Sequence, residues 1–545
     1  MQVRRLAAWT ALPLAVTLGL SACGSGGNGG SGKSNPNAAA SIQIGEPQHL
    51  VPTNTTETSG SQVLAGLFSP LVDYNAQNKP YEVAAQSVAS SDNKVWTIKL
   101  KDGFTFHNGQ KVTSDDYINA WNYGAYAPNG QGGSYFFEKI AGYDDLQSVD
   151  PDGDGPKAAP APKAKAMSGL KKVDDQTFTV TLSQPYIDFK TMLGYTAFYP
   201  LPKAAFSAPG VLKDSYEQAP IGQGPFKMKG TWQHDAKIEV ERYDAYPAEK
   251  PKVHGVEFRI YQQLSAAYAD VLGDNLDVIP TIPTENISSA ASDLGDRYKT
   301  SPMSSFQFLA FPTFDKDFRS PDVRKAISMA IDRDEITKSV FKGSQQPARS
   351  FVSPVLPGYR DDTAGAAGQF NPTEAKKLYQ AAGGPAKITI SYNGDGGHKD
   401  WVDATCNQLK ANLGVDCVGS AEPKFADLLT KVEKKQPVGL FRMGWVMDYP
   451  SMEDYLGPLY STNGSSNYYG YSNPEFDKLV KEGSAAPTQD EAIKKYQQAE
   501  DILAKDMPVI PLRFGQNVYG SSTKVKNVEM DLFQRVNLVK IEAVS

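Results

Sequence analysis

Cysteine is nearly absent, with three residues in 545. That excludes a disulfide scaffold and a zinc ribbon. Histidine is also scarce, at positions 49, 107, 234, 254 and 398, and no two stand four apart as a helical zinc site requires. There is no basic excess. The net charge is −6 and the pI about 5.6, so the electrostatic footprint of a nucleic-acid binder is missing. After residue 20 no apolar run approaches the ~20 residues of a membrane span, which excludes a polytopic transporter. No G-x-S-x-G elbow and no S-x-x-K constellation occurs. Carboxylates are plentiful but carry no spacing signal, so nothing by motif supports an enzyme, although carboxylate hydrolases need no motif. No cofactor and no metal is expected.

What is present is globular. Hydrophobic residues make up 40%, aromatics 10% and charged residues 21%, which excludes a largely disordered chain. The length exceeds what one core sustains, near ~250–300 residues, so two or three compact units are expected.

The first 22 residues read as a processing segment. Arg4 and Arg5 precede a short apolar run, Leu6 to Leu20, and small residues lead to Cys23. Leu20-Ser21-Ala22-Cys23 resembles a bacterial lipobox, in which the cysteine is diacylated and becomes the N-terminus. The following Gly/Ser-rich stretch suits a flexible tether, placed at 23–40. Loss of residues 1–22 takes the charge from −6 to −8. Within the tether, Gly27 to Ser34 satisfies GxxxxGK[ST]. A phosphate loop works only between a strand and a helix, and here Asn35-Pro36 follows instead. The match reflects composition.

From Ser41 the pattern alternates between strand and helix. Val95 to Leu100 and Thr177 to Leu182 alternate as half-buried strands do. Thr113-Ser-Asp-Asp116 opens a helix, and Ser320-Pro321 and Asn371-Pro372 open two more. Lys387 to Ser391 reads as strand, Lys399 to Leu413 as helix, and Val415 to Val418 as strand. Mixed α/β layers follow. Asp150-x-Asp152-x-Asp154-Gly155 copies the opening of a calcium loop, but position twelve is Ala161 where a bidentate Glu is needed. Cys406 sits ~10 Å back from the end of its helix, and the strand after Gly414 carries Cys417 back by ~13 Å. The two sulfurs therefore reach similar depth, and a disulfide is expected.

Longer stretches resemble one family. Leu67-Phe-Ser-Pro-Leu71 with Asp73, Trp96 to Asp116, Gly222-Gln-Gly-Pro-Phe-Lys227, Asp322 to Arg333, Gly444-Trp-Val-Met-Asp-Tyr449 and Tyr471 to Leu479 occur in the order and spacing of the oligopeptide- and dipeptide-binding group. These are solute-binding lipoproteins of ABC importers, the family 5 extracellular solute-binding proteins. The resemblance implies a two-lobed type II periplasmic-binding-protein fold with an extra domain, three domains in all, and ligand enclosed between lobes. Domain I would comprise 41–68, 197–303 and 516–545, domain II 69–196, and domain III 304–515. Gly222 and Gly224 are expected to provide backbone freedom between domains, and Asp322 and Arg324 to pair or cap locally.

The resemblance also implies site residues. Asp448 would hold a peptide's α-ammonium by a charge-assisted hydrogen bond. Arg442, His398 and Lys342, the last offset by one position, would serve carboxylate ends of different peptide lengths. Thr56 to Gly60, including Thr58 and Gly60, and the run around Gly444 and Trp445 would clamp the peptide backbone like an added strand. Tyr135 matches a pocket tyrosine. Pro423-Lys424-Phe425 replaces an expected tryptophan, so side-chain preference does not carry over. The implied protein is a monomer on the outer face of the cytoplasmic membrane. It would be anchored through Cys23 and would pass short peptides to an ABC permease with its ATPase subunits. Three readings stay open beside it: the same fold holding a sugar, metal chelate or haem; a surface peptidase or hydrolase; and a receptor that senses a peptide without importing it.

Overall fold

The computed structural model describes residues 33–148 and 159–544. Cys23, the signal segment and the Asp150/Asp152/Asp154 stretch lie outside the described residues.

One large sheet runs through most of the molecule. Its strands lie in the order Phe226–Met228, Lys237–Arg242, Gly255–Ile260, Ala39–Ile44, Val278–Ile279, Val509–Ser521, Tyr298–Ala310, Leu440–Trp445, Lys387–Asn393 and Asp416–Glu422, with Gln345–Pro347 also paired to Val509–Ser521. Val509–Ser521 and Tyr298–Ala310 are thirteen residues each and antiparallel. They join two parts with separate cores. On one side Ile42, Leu64, Phe258 and Ile541 pack together. On the other, the faces of Tyr298–Ala310 diverge: Phe306 and Phe308 enter one cluster with Tyr455 and Tyr496, while Leu309 enters another with Trp401 and Leu440. Period-two alternation puts successive side chains on opposite faces, so one strand serves two cores.

A second sheet, ordered Ala85–Ser90, Val95–Leu100, Thr177–Thr181 and Leu170–Asp174, carries its own core around Trp96, Trp121 and Phe178. Val95–Leu100 alternates between exposed and buried along its length. The helix Ser114–Ala125 packs on this sheet. Its entry is set by Asp116, which accepts from the Thr113 backbone N–H at 2.8 Å, the return half of a capping box. The proline-led helices Pro321–Met329 and Pro372–Ala381 begin after Ser320 and Asn371. Lys399–Leu413 matches the sequence pattern end to end and stops at Gly414 in a left-handed conformation. Its Cys406 is bonded to Cys417 on the next strand, with Cα atoms 5.0 Å apart.

Four expectations need correction. The flexible tether does not reach residue 40. Ser34 bridges Val544, the Asn35 N–H donates to Ala543, and Ala39–Ile44 runs parallel to Gly255–Ile260, because buried Ala40 and Ile42 belong to a core. Gly222 and Gly224 serve close approach and have no positive φ. A Cβ on Gly222 would collide with the Leu67 carbonyl, and one on Gly224 with the Leu67–Phe68 peptide. Arg324 does not pair with Asp322. It turns inward and donates to the carbonyls of Phe318, Arg319, Asp506 and Met507. The strand expected at 415–418 runs from Asp416 to Glu422.

Candidate functional site

The site is built on the strand Leu440–Trp445. Its whole length from Phe441 to Trp445 pairs with Phe306–Ala310, but pairing with Lys387–Asn393 covers only Leu440 and Phe441. Arg442 to Trp445 therefore have one edge with no strand beside it among the described residues. Such an edge carries unpaired N–H and C=O groups. Gly444 leaves room there for the Gln307 amide, which a Cβ would push aside.

An acidic group stands beyond the C-terminal end of this edge. Asp448 is half-buried and accepts a 3.4 Å hydrogen bond from the Tyr135 hydroxyl, a residue of the second sheet's region. Its backbone N–H donates to Asp454 Oδ2 at 3.2 Å, and the Trp445 indole N–H donates to the same oxygen at 3.0 Å. Asp454 is almost fully buried on the helix Glu453–Tyr460. Burial pushes the Asp448 carboxyl up to about 7, and burial with the repulsion of Asp448 holds Asp454 well above the usual carboxylate range. The two acids titrate as a pair. No cation forms an ion pair with either among the described residues. Burial and Asp448 also raise Tyr135, whose ring stacks on Phe136 at 4.4 Å.

A cationic group stands at the strand's other end. Arg442 donates to Asn393 Oδ1 at 3.3 Å and to Gln307 Oε1 at 3.2 Å, and lies 5.5 Å over the Phe425 ring. His398 is buried, and its Nδ1 accepts from the Trp401 indole at 3.1 Å. Trp401 in turn lies 4.8 Å from the guanidinium of Arg513. His398, Trp401 and Arg513 thus form one connected set, and Arg442 reaches it through Gln307, which stands opposite Arg513 in the strand register. From Arg442 to Asp448 the chain spans at most about 20 Å.

The other expected residues are placed differently. Thr58 and Gly60 belong to the first turn of the helix Thr58–Leu67, so Thr56 to Gly60 is not an extended clamp. Glu57 caps that turn and takes the Gly60 N–H at 2.7 Å, which removes it as a donor to a peptide. Lys342 is exposed, in a left-handed conformation, with its Nζ bonded to the Ser339 carbonyl at 2.8 Å. That bond satisfies the end of its own helix, so the structure does not bring Lys342 into the cluster. Asp454, Asn393, Gln307 and Arg513 were missed. Only Arg513 carried a sequence signal, as a lone charge in the apolar run Val509 to Phe514. A cavity of about 1140 Å³ lies elsewhere, lined by Asp73, Glu82, Pro302, Val355 and Arg535 among others, and contains none of the expected residues.

The family described as bacterial extracellular solute-binding proteins, family 5 Middle, matches residues 79–467. This chain belongs to that family. Among its relatives is the oligopeptide-binding protein OppA of Bacillus subtilis (strain 168), 27% identical over 540 residues, 95% of this chain and 96% of that protein. The periplasmic murein peptide-binding protein MppA of Escherichia coli (strain K12) is 27% identical over 483 residues, 86% of each. In fold, this family 5 protein superposes on the unliganded open form of MppA with a TM-score of 0.80 at 24% identity, covering 95% and 99% of the two chains. Haemophilus influenzae OppA in complex with RPPGFSPFR gives 0.71 at 23%, covering 94% and 100%. The fold is the mixed α/β, two-lobed fold of periplasmic peptide-binding proteins.

Proposed function

We propose that this protein captures short peptides between its two lobes and delivers them to an ABC permease and its ATPase. One observation carries the reading: the open edge at Arg442–Trp445, with a basic cluster at one end and a desolvated carboxyl at the other. A peptide is an extended strand with a cation at its start and an anion at its end. Added along that edge, it pairs by backbone hydrogen bonds that ignore side-chain identity. Its α-ammonium meets Asp448, and Tyr135, Trp445 and Gly444 line that end. Its carboxylate meets Arg442, with His398 behind. The relatives are named as peptide binders, which supports the same assignment.

Closure follows because a ligand touching both lobes favours the closed state. The segments 41–68, 197–303 and 516–545 make domain I, 69–196 domain II and 304–515 domain III. The core that holds Ile42, Tyr199, Phe258 and Ile541 draws on all three segments of domain I, which supports this division. The protein acts as a monomer and catalyses no reaction. It is anchored by acyl chains on Cys23 at the outer face of the cytoplasmic membrane, where two chains give stable attachment.

Calorimetry with free and N-acetylated peptides tests the site: free peptides bind, and acetylated ones lose most of their affinity. Equal binding of both refutes the role of Asp448. Mass spectrometry of a peptide pool after incubation should show no cleavage. Wild-type protein should take up a fatty-acid label, and Cys23→Ala should not.

A further inference from the structure

Asp116, Asp188, Glu453, Asp454 and Glu500 are the buried acids among the described residues. Glu500 has the company that a buried charge needs. Arg360 stands 3.1 Å from one of its oxygens, and the other accepts from the Thr363 hydroxyl at 2.8 Å and the Phe351 N–H at 3.2 Å. Asp454 is 1% exposed and lacks that company. Both of its hydrogen bonds, from the Trp445 indole and the Asp448 N–H, fall on Oδ2, and Oδ1 accepts none among the described residues.

The titratable groups that face Asp454 carry no positive charge. Tyr135 and Tyr195 face it from the second sheet's region, Asp448 and Tyr449 from the loop after Trp445, and Glu453 and Tyr455 from its own helix. Glu453 is itself occupied, by the hydroxyls of Tyr186 and Tyr449 at 2.6 and 2.7 Å. Lys139 pairs with Glu138 at 3.7 Å and attracts Glu453.

Two ionised carboxyls, Asp448 and Asp454, would therefore repel each other where water hardly reaches. A carboxyl escapes that cost by taking a proton. The two are not equivalent. Asp448 is half-buried and takes the Tyr135 hydroxyl, whereas Asp454 is closed in and bears the repulsion of both Asp448 and Glu453. Protonation takes nothing from Asp454. Its carbonyl oxygen still accepts both N–H groups, and Oδ1 is free to carry the proton.

We propose that Asp454 is a positioning residue that keeps its proton throughout binding: one oxygen holds the Trp445 indole and the Asp448 main chain in place, and Asp448 is left as the single carboxylate that meets a single ammonium. This rests on the peptide reading above.

The test is calorimetry of tri-alanine binding to the ligand-freed mature protein at pH 6, in two buffers of different protonation heat, which together give the protons released per peptide bound. Wild type should release about one, all of it from Asp448. Asp454→Asn, whose amide oxygen keeps both bonds, should also release about one, with affinity held within about three-fold. Asp448→Asn should release almost none. Asp454→Ala leaves both N–H groups without an acceptor and should bind roughly ten-fold more weakly, with altered Trp445 fluorescence. A release near two in wild type overturns the proposal without any variant, since both acids then ionise on binding. A release that falls by half or more in Asp454→Asn also overturns it, because only an ionised Asp454 could have been holding the proton on Asp448. So does a loss of affinity in Asp454→Asn as large as that in Asp448→Asn, or unchanged affinity in Asp454→Ala. If tri-alanine binds and the proton count or the Asp454 variants depart as stated, this proposal alone falls. If neither it nor longer alanine peptides bind, the peptide reading falls and takes the proposal with it.

Discussion

The two ends of the strand Leu440–Trp445 meet the same difficulty in different ways. At the basic end Arg442 and Arg513 are held close by neutral amides and aromatic rings. At the acidic end Asp448 and Asp454 are held by one hydroxyl, one indole and one backbone N–H. The acidic end can discharge itself, because its carboxyl is pushed up to about 7 and takes a proton when empty. The basic end cannot, because guanidinium stays charged. An empty site is therefore pH-sensitive at one end and permanently charged at the other.

The largest effect should come from Asp448→Asn, at about 2–5 kcal/mol of peptide affinity, the range for truncating a buried charge pair. Acetylating the peptide should cost wild type a similar amount and cost the variant little more, as read in a four-way calorimetric cycle. An additive loss would mean that the acidic end does not meet the ammonium.

Next is the disulfide that ties the helix Lys399–Leu413, which carries Trp401, to the strand Asp416–Glu422. Replacing Cys406 and Cys417 by Ala should lower stability by about 3 kcal/mol in the chain-entropy model. Urea unfolding measures it. The preference for free over acetylated peptides should survive, since it belongs to the opposite end. Thiol titration of denatured, unreduced protein should find neither cysteine reactive.

The pH dependence comes third. The empty-site pKa of Asp448 is raised to about 7, and a bound ammonium lowers it, so the complex holds fewer protons than the empty protein. Affinity therefore falls as pH drops through 7, by roughly fifty-fold at most between pH 7 and 5. Above pH 7 it levels until the peptide amine, near ~8, loses its proton. Asp448→Asn should flatten the acid limb, and a limb unchanged in that variant would assign it elsewhere.

Smallest is Tyr135→Phe. One 3.4 Å hydrogen bond is lost, so about 0.5–1 kcal/mol of affinity should go, with the acid limb shifted slightly upward. A loss as large as that of Asp448→Asn would make Tyr135 a direct ligand group.

Much of the local structure was legible because its causes are local. Alternation marked Val95–Leu100, and Thr113, Ser320 and Asn371 marked helix starts because caps act within one turn. The motif around Gly444 to Asp448 pointed to the acidic end. Local reasoning went wrong where a distant partner decides. Residues 34–40 looked like tether but dock on strands more than 200 positions away. Thr56 to Gly60 looked extended, yet Glu57 turns it into a helix start. Gly222 looked like a swivel and is a tight contact with Leu67.

The sequence by itself determined the chain's family, its alternating elements and the order in which they come, since these depend on residue type and near spacing. Only the tertiary structure decided which charges are stranded. Asp454 reads as a surface residue of a helix until folding buries it against Trp445. Arg513, Arg324 and Arg333 are all arginines close to apolar runs, and nothing nearby in the chain separates them. What separates them is whether carbonyls from elsewhere in the chain reach the guanidinium, and for Arg513 two aromatic rings stand in that place instead.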